Sequence, residues 1–187
     1  MILFPFVFAA CGDPDPDTST SSGSTGSTGG DGGGGGGGGG GQGGGAGGGD
    51  SGLVPTSGAE LFPWLQAGKY LSFAAESGNH ASTGPHGGDV RTFLNPILFD
   101  ALTNNLTNFP AGAASVKELY GGGAALTGWA VFVKTQADSD GGNGFYWYEN
   151  FSTTNPSNPI ADGNGVGLCT GCHSAGTDYF LTPFPLQ

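Results

Sequence analysis

Four stretches after residue 88 carry the pattern of apolar and polar positions that is typical of β-strands. Residues 89–94 alternate between the two kinds of side chain, and residues 114–120, 126–135 and 144–151 are rich in β-branched and aromatic residues. Glycine-rich turns separate the last three, as in hairpin connections. The pattern predicts neighbouring strands that are mostly antiparallel.

Two further stretches favour helices. Ser57 to Glu60 has the form of a capping box, so a helix is expected to begin near Gly58. Asn95 and Pro96 then cap a short helix that runs through about residue 102. Three apolar residues would share one face of the first helix: Leu61, Trp64 and Leu65.

Together these elements predict an α+β fold. A predominantly antiparallel β-sheet forms most of the core, and helices flank it. A loop-rich segment at the C-terminus follows the last strand and carries two of the cysteines.

Glycine is concentrated before residue 50, and this divides the chain. Residues 11–52 combine Asp-Pro repeats, a Ser/Thr/Gly stretch and ten consecutive glycines at 32–41. Such residues cannot fill a core, and glycine loses the most backbone freedom on ordering, so we predict a disordered tether. Its end-to-end distance would be roughly 35 Å by the square-root scaling. Residues 53–187 are left as one domain, large enough to enclose a cofactor.

The N-terminus is an apolar run, residues 1–10, followed by Cys11. A membrane span needs about 20 apolar residues, so this run is too short to cross a bilayer. Phe-Ala-Ala-Cys has the form of a lipobox, which predicts a lipoprotein signal at 1–10, lipidation of Cys11, and export to the periplasmic side of a bacterial membrane or to the outer membrane. Phe8 replaces the common leucine, and no basic residue precedes the run. The alternative is a hydrophobic N-terminus on a soluble protein.

The charge excludes one class of partner. The 187 residues carry a formal net charge of -11, with four basic residues: Lys69, Arg91, Lys117 and Lys134. So acidic a chain repels phosphate backbones, and we expect no binding to nucleic acid. All four basic residues lie in the predicted domain, which makes each one a candidate for a specific role.

The strongest chemical signal is the run Cys-Thr-Gly-Cys-His at residues 169–173. Cys-x-x-Cys-His is the attachment signature of haem c. Cys169 and Cys172, one helical turn apart, can reach the two vinyl groups of a haem, and His173 then offers its imidazole to the iron. We predict one covalently attached haem c with His173 as the proximal ligand.

Two alternatives exist for the same residues. A thioredoxin-like redox pair belongs in a βαβ context, which the pattern lacks. A zinc site needs further ligands, and only His80 and His86 are available, far away along the chain. The count of three cysteines fits haem, because Cys11 serves the lipid and the other two serve the haem.

The sixth position on the iron has no methionine to fill it. The only methionine is Met1, which signal cleavage would remove. The iron is therefore expected to be five-coordinate, or closed by His80, His86 or a lysine. An open position favours small-molecule binding or redox catalysis over simple electron transfer.

An ordered series of segments precedes the Cys-x-x-Cys-His motif. They are His-Gly-Gly-Asp-Val-Arg at 86–91, Phe-Pro-Ala-Gly at 109–112, Val-Lys-Glu-Leu-Tyr at 116–120, Gly-Trp-Ala-Val-Phe-Val-Lys at 128–134 and Gly-Phe-Tyr-Trp-Tyr-Glu at 144–149. With these segments the chain resembles, over roughly residues 64–185, the cytochrome P460 family, which includes the cytochrome c′-beta proteins.

The resemblance implies a mostly antiparallel sheet with flanking helices, often in a homodimer, and a five-coordinate haem held by His173. In the P460 branch a lysine also bonds to the porphyrin edge, and Lys117 matches that position. Members of that branch oxidise hydroxylamine, with nitrous oxide as a product. In the c′-beta branch the lysine is replaced and the proteins bind nitric oxide or carbon monoxide, so Lys117 favours the P460 branch.

The predicted function is therefore that of an exported haem oxidoreductase. It would act on hydroxylamine or a related small nitrogen compound, pass electrons to a soluble electron-transfer protein, and be held at a membrane by its lipid. The alternative is a non-enzymatic cytochrome that binds nitric oxide or transfers electrons.

The residues themselves leave other roles open for the two lysines of the strands. Lys117 can face solvent or pair with Glu118 or Glu149, and Lys134 can form a structural ion pair. Acid–base chemistry on a substrate would need a distal carboxylate or a similar base, which the sequence does not identify.

Arg91 and the two loop histidines are also ambiguous. Arg91 can contact a haem propionate or stabilise negative charge in the distal pocket, which makes it a candidate catalytic residue, or it can pair with Asp89 or Asp100. His80 and His86 lie in a glycine-rich loop, where ordering the loop is the alternative to ligating the iron.

Overall fold

The computed structural model describes residues 52–187. Outside that range lie the predicted signal at 1–10, the lipidation site at Cys11 and all but the last residue of the predicted tether. Three α-helices are present in the described range: α1 (Gly58–Gln66), α2 (Pro96–Thr103) and α3 (Gly167–His173). One sheet contains seven strands: β1 (Ala74–Ala75), β2 (His80–Ala81), β3 (Asp89–Leu94), β4 (Ala114–Leu119), β5 (Gly128–Lys134), β6 (Phe145–Asn150) and β7 (Ala161–Asn164).

The sheet is antiparallel at every strand pair. Its order is β1-β3-β4-β5-β6-β7, and β2 pairs with β3 beside β1. The prediction of an α+β fold built on a mainly antiparallel sheet with flanking helices is confirmed. No helix of residues 52–187 is long and apolar enough to span a membrane.

The local patterns located the central elements closely. β3 and α2 match their predictions to within a residue, and β4, β5 and β6 are one to three residues shorter than predicted. β7 was not predicted, because its sequence Ala-Asp-Gly-Asn lacks strand-forming residues; it is held by pairing with β6. The C-terminal segment contains α3 and is not loop throughout.

The start of α1 was predicted correctly, but its capping box was not. Ser57 is the N-cap residue, yet its side chain makes no capping hydrogen bond and contacts the Glu60 carboxylate at 3.2 Å. The backbone N–H of Gly58 instead donates to Asp162 Oδ1 of β7 at 3.1 Å. A carboxylate from the sheet therefore satisfies the helix terminus.

The two faces of the sheet carry separate cores, because partners across antiparallel strands share a face. We define the back face by Val116, Val131, Tyr146 and Tyr148. α1 covers it through Leu61, Phe62 and Leu65, with Trp64 partly buried at the margin, as its spacing predicted.

The front face is the opposite one. We define it by Ser115, Lys117, Phe132, Trp147 and Glu149. α2 and the C-terminal segment cover it, through Leu98, Ala101 and Phe180. Every residue of β4, β5 and β6 is buried except Lys117 and Ala130, which are cross-strand partners on this face. The cover therefore leaves an opening above these two residues.

Candidate functional site

The Cys-x-x-Cys-His motif forms α3 and ends it. Cys169 and Cys172 are one turn apart, so they lie on one side of the helix. Cys169 is partly buried against the front-face core, and this burial raises the pKa of its thiol to about 12. His173 is the last helical residue and follows the second cysteine directly, so the helix presents all three side chains together.

His173 is oriented by a backbone carbonyl. Its Nδ1 donates a hydrogen bond to the Tyr179 carbonyl oxygen at 2.8 Å, and a carbonyl can only accept, so Nδ1 carries the proton. Burial lowers the pKa of His173, although the Tyr179 bond opposes this, so the neutral ring is favoured. Nε2 is then left with a lone pair, the form in which histidine binds metals.

A narrow cleft, partly open to solvent, lies between α3 and the front face. Its polar lining includes residues from separate parts of the chain: His86, Ser115, Lys117, Glu149, Cys169, His173 and Thr182. Its apolar walls include Ala130, Phe132, Trp147, Phe180 and Leu181. The imidazole of His173 lies against the indole of Trp147, with 4.8 Å between the ring centroids.

Lys117 lies at the base of this cleft. It is only partly exposed, and among residues 52–187 its amine has no hydrogen-bond or ion-pair partner. Burial lowers the pKa of Lys117, and the carboxylates of Glu76 and Glu149 partly oppose that shift. The structure therefore does not place Lys117 in either of the predicted alternatives, open solvent or an ion pair with Glu118 or Glu149.

His86 and Glu149 form a pair at the cleft. His86 Nδ1 lies 2.8 Å from Glu149 Oε1, and the His86 and His173 ring centroids are 6.2 Å apart. The loop that carries His86 approaches the β4–β5 turn closely at Gly88, where a Cβ atom would lie 2.3 Å from the Gly122 nitrogen. Gly88 also has a positive φ of 61°, so glycine is needed there on both grounds.

His80 is placed elsewhere. It is half exposed, and its Nε2 lies 3.2 Å from the buried carboxylate of Glu76. It does not line the cleft, so the structure separates the two loop histidines that the sequence presents together.

Arg91 lies on the back face. It pairs across the strands with Glu118, whereas its neighbour Thr92 pairs with Lys117 on the front face. Its guanidinium donates to the Glu76 carbonyl at 2.9 Å and covers the Phe93 ring at 4.9 Å. The structure thus does not bring the predicted residue Arg91 to Lys117 and His173, nor does it pair Arg91 with Asp89 or Asp100 within the described residues.

Glu118 is a back-face residue as well. Its carboxylate accepts hydrogen bonds from the hydroxyls of Tyr70 at 2.7 Å and Tyr120 at 2.6 Å, and Trp129 Nε1 donates to the Tyr70 hydroxyl at 3.0 Å. Of the two glutamates that the sequence offered as ion-pair partners for Lys117, only Glu149 reaches the cleft.

The predicted structural role of Lys134 is confirmed. Its amine is fully buried and pairs with Asp178 at 2.6 Å. It also donates to Asn108 and, at 3.1 Å, to Ser139. This pair ties the end of β5 to the turn that follows α3.

The donor set fits a haem c. Two thiols on one side of a helix, a neutral imidazole with a free Nε2, and an adjoining cleft are what attachment and axial ligation require. The indole Nε1 of Trp147 is buried without a hydrogen-bond partner, as expected where a polar group of a bound cofactor would accept from it. No group of three or more His, Cys, Asp and Glu side chains within residues 52–187 is arranged to hold a bare metal ion.

The sequence did not single out Trp147 as a site residue and left His86 undecided, and it gave no role to Glu76, whose carboxylate acts on Lys117 without lining the cleft. Trp147 stands in the sequence only within the aromatic run at 144–149, and the signal that could have found it is its spacing of two residues from Glu149, which puts both side chains on one face of the strand. The position of Glu76 depends on tertiary packing, which no local motif predicts.

The chain matches no protein-family model, and no curated protein sequence matches it. The resemblance to the cytochrome P460 family therefore remains a prediction from the sequence segments.

Proposed function

We propose that this protein is a c-type haem protein of the cytochrome P460 kind that oxidises hydroxylamine or a related small nitrogen compound. One observation carries the proposal: His173 has its Nδ1 proton fixed by Tyr179, and it stands beside both motif cysteines and a cleft. Cys169 and Cys172 would form the thioether bonds, and His173 Nε2 would hold the iron. When bound, the haem supplies the redox centre that accepts electrons from the substrate and passes them to a soluble electron-transfer protein.

Lys117 is suited to a bond with the porphyrin edge. A neutral amine is the nucleophilic form of lysine, and burial favours that form by lowering the pKa of Lys117. Its position on the cleft floor, without a competing ion pair in the described residues, leaves the amine available. These features support the P460 branch.

His86, oriented by Glu149, would accept the protons that the substrate releases. Oxidation of hydroxylamine removes protons from its nitrogen and oxygen along with electrons. With Glu149 ionised, His86 Nδ1 donates to it at 2.8 Å, and His86 Nε2 is left as an acceptor near the cleft. The pair resembles other orienting carboxylate–histidine pairs that support general base catalysis. Arg91 has no part in this proposal, because it lies on the back face.

A second candidate is supported by the walls of the cleft. Phe132, Phe180 and Leu181 make much of the lining apolar. Apolar walls suit a small uncharged ligand, so a non-enzymatic cytochrome that binds nitric oxide, as in the c′-beta branch, is the alternative function.

Optical spectra of protein produced with the haem c maturation machinery test the proposal. We expect covalent haem staining on a denaturing gel, a ferrous Soret band far to the red of an ordinary c-type spectrum, and loss of that shift in Lys117→Ala. Lys69→Ala, at an exposed lysine, is the matched control and should keep the shift. Absence of stained haem would overturn the proposal as a whole.

Turnover separates the two candidate functions. The enzyme predicts steady oxidation of hydroxylamine with an added electron acceptor. Glu149→Gln removes the carboxylate that orients His86 and should lower turnover by about 100-fold, at the low end of the usual contribution of general acid–base catalysis. An ordinary c-type spectrum, no turnover and tight binding of nitric oxide would support the second candidate instead.

We extend the proposal to the N-terminus, where lipid on Cys11 would hold the protein at the periplasmic face of a bacterial membrane or at the outer membrane. Processing that is sensitive to globomycin would support this anchor, and insensitive processing would contradict it.

A further inference from the structure

The turn after α3 contains two consecutive residues in the left-handed region. Asp178 has φ 45° and Tyr179 has φ 67°, and neither is glycine. Such conformations cost free energy and persist only where the surroundings impose them. The turn is closed by a hydrogen bond from the Phe180 N–H to the Thr177 carbonyl at 2.9 Å. Its strained conformation therefore needs an explanation in its contacts.

Asp178 supplies that explanation. Its side chain is 4 % exposed, and Oδ2 accepts from the buried amine of Lys134 at 2.6 Å and from the Phe109 N–H at 2.6 Å. Oδ1 accepts from the Ser139 hydroxyl. Three residues from two stretches of the chain, one at Phe109 and one at 134–139, hold this one carboxylate, which fixes the backbone at the first strained position.

The next residue, Tyr179, contributes the carbonyl that receives the Nδ1 proton of His173. We infer that Asp178, held by Lys134, is a positioning residue for His173: it fixes the turn so that the Tyr179 carbonyl orients and polarises the imidazole. Its effect on the reduction potential rests on the proposed function, because only a histidine that ligates the iron can change that potential.

The expected consequence follows from the chemistry of the ligand. A hydrogen bond from Nδ1 gives the imidazole partial imidazolate character, which makes Nε2 a stronger donor and favours the oxidised iron. Loosening the turn weakens that bond, so the reduction potential should rise and the iron–histidine bond should weaken. A carbonyl on a strained, anchored turn holds its direction better than one on an exposed loop.

Asp178→Asn tests the inference, because it keeps the size of the side chain and removes the charge. We expect the iron–histidine stretching band in resonance Raman spectra of the ferrous protein to move to lower wavenumber. We also expect the equilibrium between oxidised and reduced iron to shift toward the reduced form by about tenfold, which is about 59 mV for one electron. Ser139→Ala removes one anchor of Asp178 and leaves its pair with Lys134, so it should shift both readouts in the same direction by less.

Tyr146→Phe is the matched control. It removes a hydrogen bond of 2.5 Å to Asp162 on the back face and touches nothing at His173, so it lowers stability without moving either readout. Unchanged spectra and potential in both Asp178→Asn and Ser139→Ala, with haem attached, would overturn the inference.

Failure of the proposed function gives a different result. If the purified protein carries no haem, the ¹⁵N resonances of the His173 ring still report which nitrogen holds the proton. The inference then predicts a single Nδ1–H form in the wild type and mixed forms in Asp178→Asn. Wild-type-like resonances in that variant would contradict it.

Discussion

At the scale of single residues, Lys117 shows how position within a strand sets chemistry. It is one of only two residues in β4 to β6 that are not buried, and its amine has no hydrogen-bond or ion-pair partner within residues 52–187. The next position along the strand, Glu118, lies on the back face, where its carboxylate accepts hydrogen bonds from Tyr70 and Tyr120.

Replacing Lys117 by methionine should change stability in a pH-dependent way. Because burial lowers the pKa of Lys117, the folded chain holds this proton less tightly than the unfolded chain. The charged amine therefore costs stability below the lowered pKa, and the cost is lost as the pH rises from there toward the ordinary value of 10.5. Haem-free Lys117→Met should gain free energy of unfolding at pH 7, and the gain should shrink toward pH 10.5.

Denaturant titrations across this pH range measure the difference. Lys69→Met is the control, since Lys69 is exposed, and its difference from the wild type should stay constant with pH. A constant difference for Lys117→Met as well would contradict the burial of the charged amine.

At the scale of elements, Asn95 connects a helix start to the sheet. Its side chain is fully buried and accepts from the Leu98 N–H at 3.0 Å and the Ala114 N–H at 2.9 Å. It also donates to the carbonyls of Gly52 at 2.8 Å and Gly112 at 2.7 Å. The sequence predicted the helix cap, but the three contacts outside α2 were not predictable from it, because they join segments distant along the chain.

Asn95→Ala should destabilise the fold by about 4 kcal/mol, because four backbone groups lose their partner. About 1 kcal/mol is the usual cost of losing an N-cap, and each buried backbone group left without a partner adds a comparable amount. Asn104→Ala, at the exposed end of α2, removes one hydrogen bond of 2.8 Å and should cost about 0.5 kcal/mol or less. Equal losses for the two variants in urea denaturation would show that the extra contacts of Asn95 do not matter.

Local sequence signals located some elements, and tertiary packing decided the others. β3 and α2 were predicted closely because periodicity, proline and an N-cap residue act locally. β7 was missed because its residues have little strand preference and it is held by pairing with β6. The cap of α1 was wrong because Asp162 of β7, and not the Ser57 side chain, accepts from the first N–H of the helix. Both contacts join segments that are distant along the chain, so only the folded sheet brings them together.

At the scale of the whole molecule, several tyrosines have a higher pKa in the folded chain than in the unfolded chain. Burial, and then the hydrogen bond to Glu118, raise the pKa of Tyr120 to about 12, and the same two causes raise the pKa of Tyr70 further. Burial and Asp162 do the same for Tyr146. These groups cluster on the back face, on the side of the sheet away from the cleft.

The protein should therefore lose stability in alkali. A group with a raised folded-state pKa contributes stability that is complete below its unfolded pKa, near 10 for tyrosine, and is lost as the pH rises through the folded value. We expect the free energy of unfolding to fall between about pH 10 and pH 12, and to fall less steeply in Tyr120→Phe. Identical pH dependence in the wild type and the variant would rule out this contribution of Tyr120.

The sequence by itself determined the local facts: the Cys-x-x-Cys-His spacing, the central strands, α2 and the start of α1. It did not determine which residues share a site, and tertiary structure decided that. Lys117 and Arg91 were both candidates, but strand register places Lys117 on the front face and Arg91 on the back face. The reason is physical: both faces of β4 to β6 are buried, so side-chain alternation does not distinguish them. Only the packing of α1 on one face, and of α2 and α3 on the other, assigns the cleft to Lys117, Glu149 and His173.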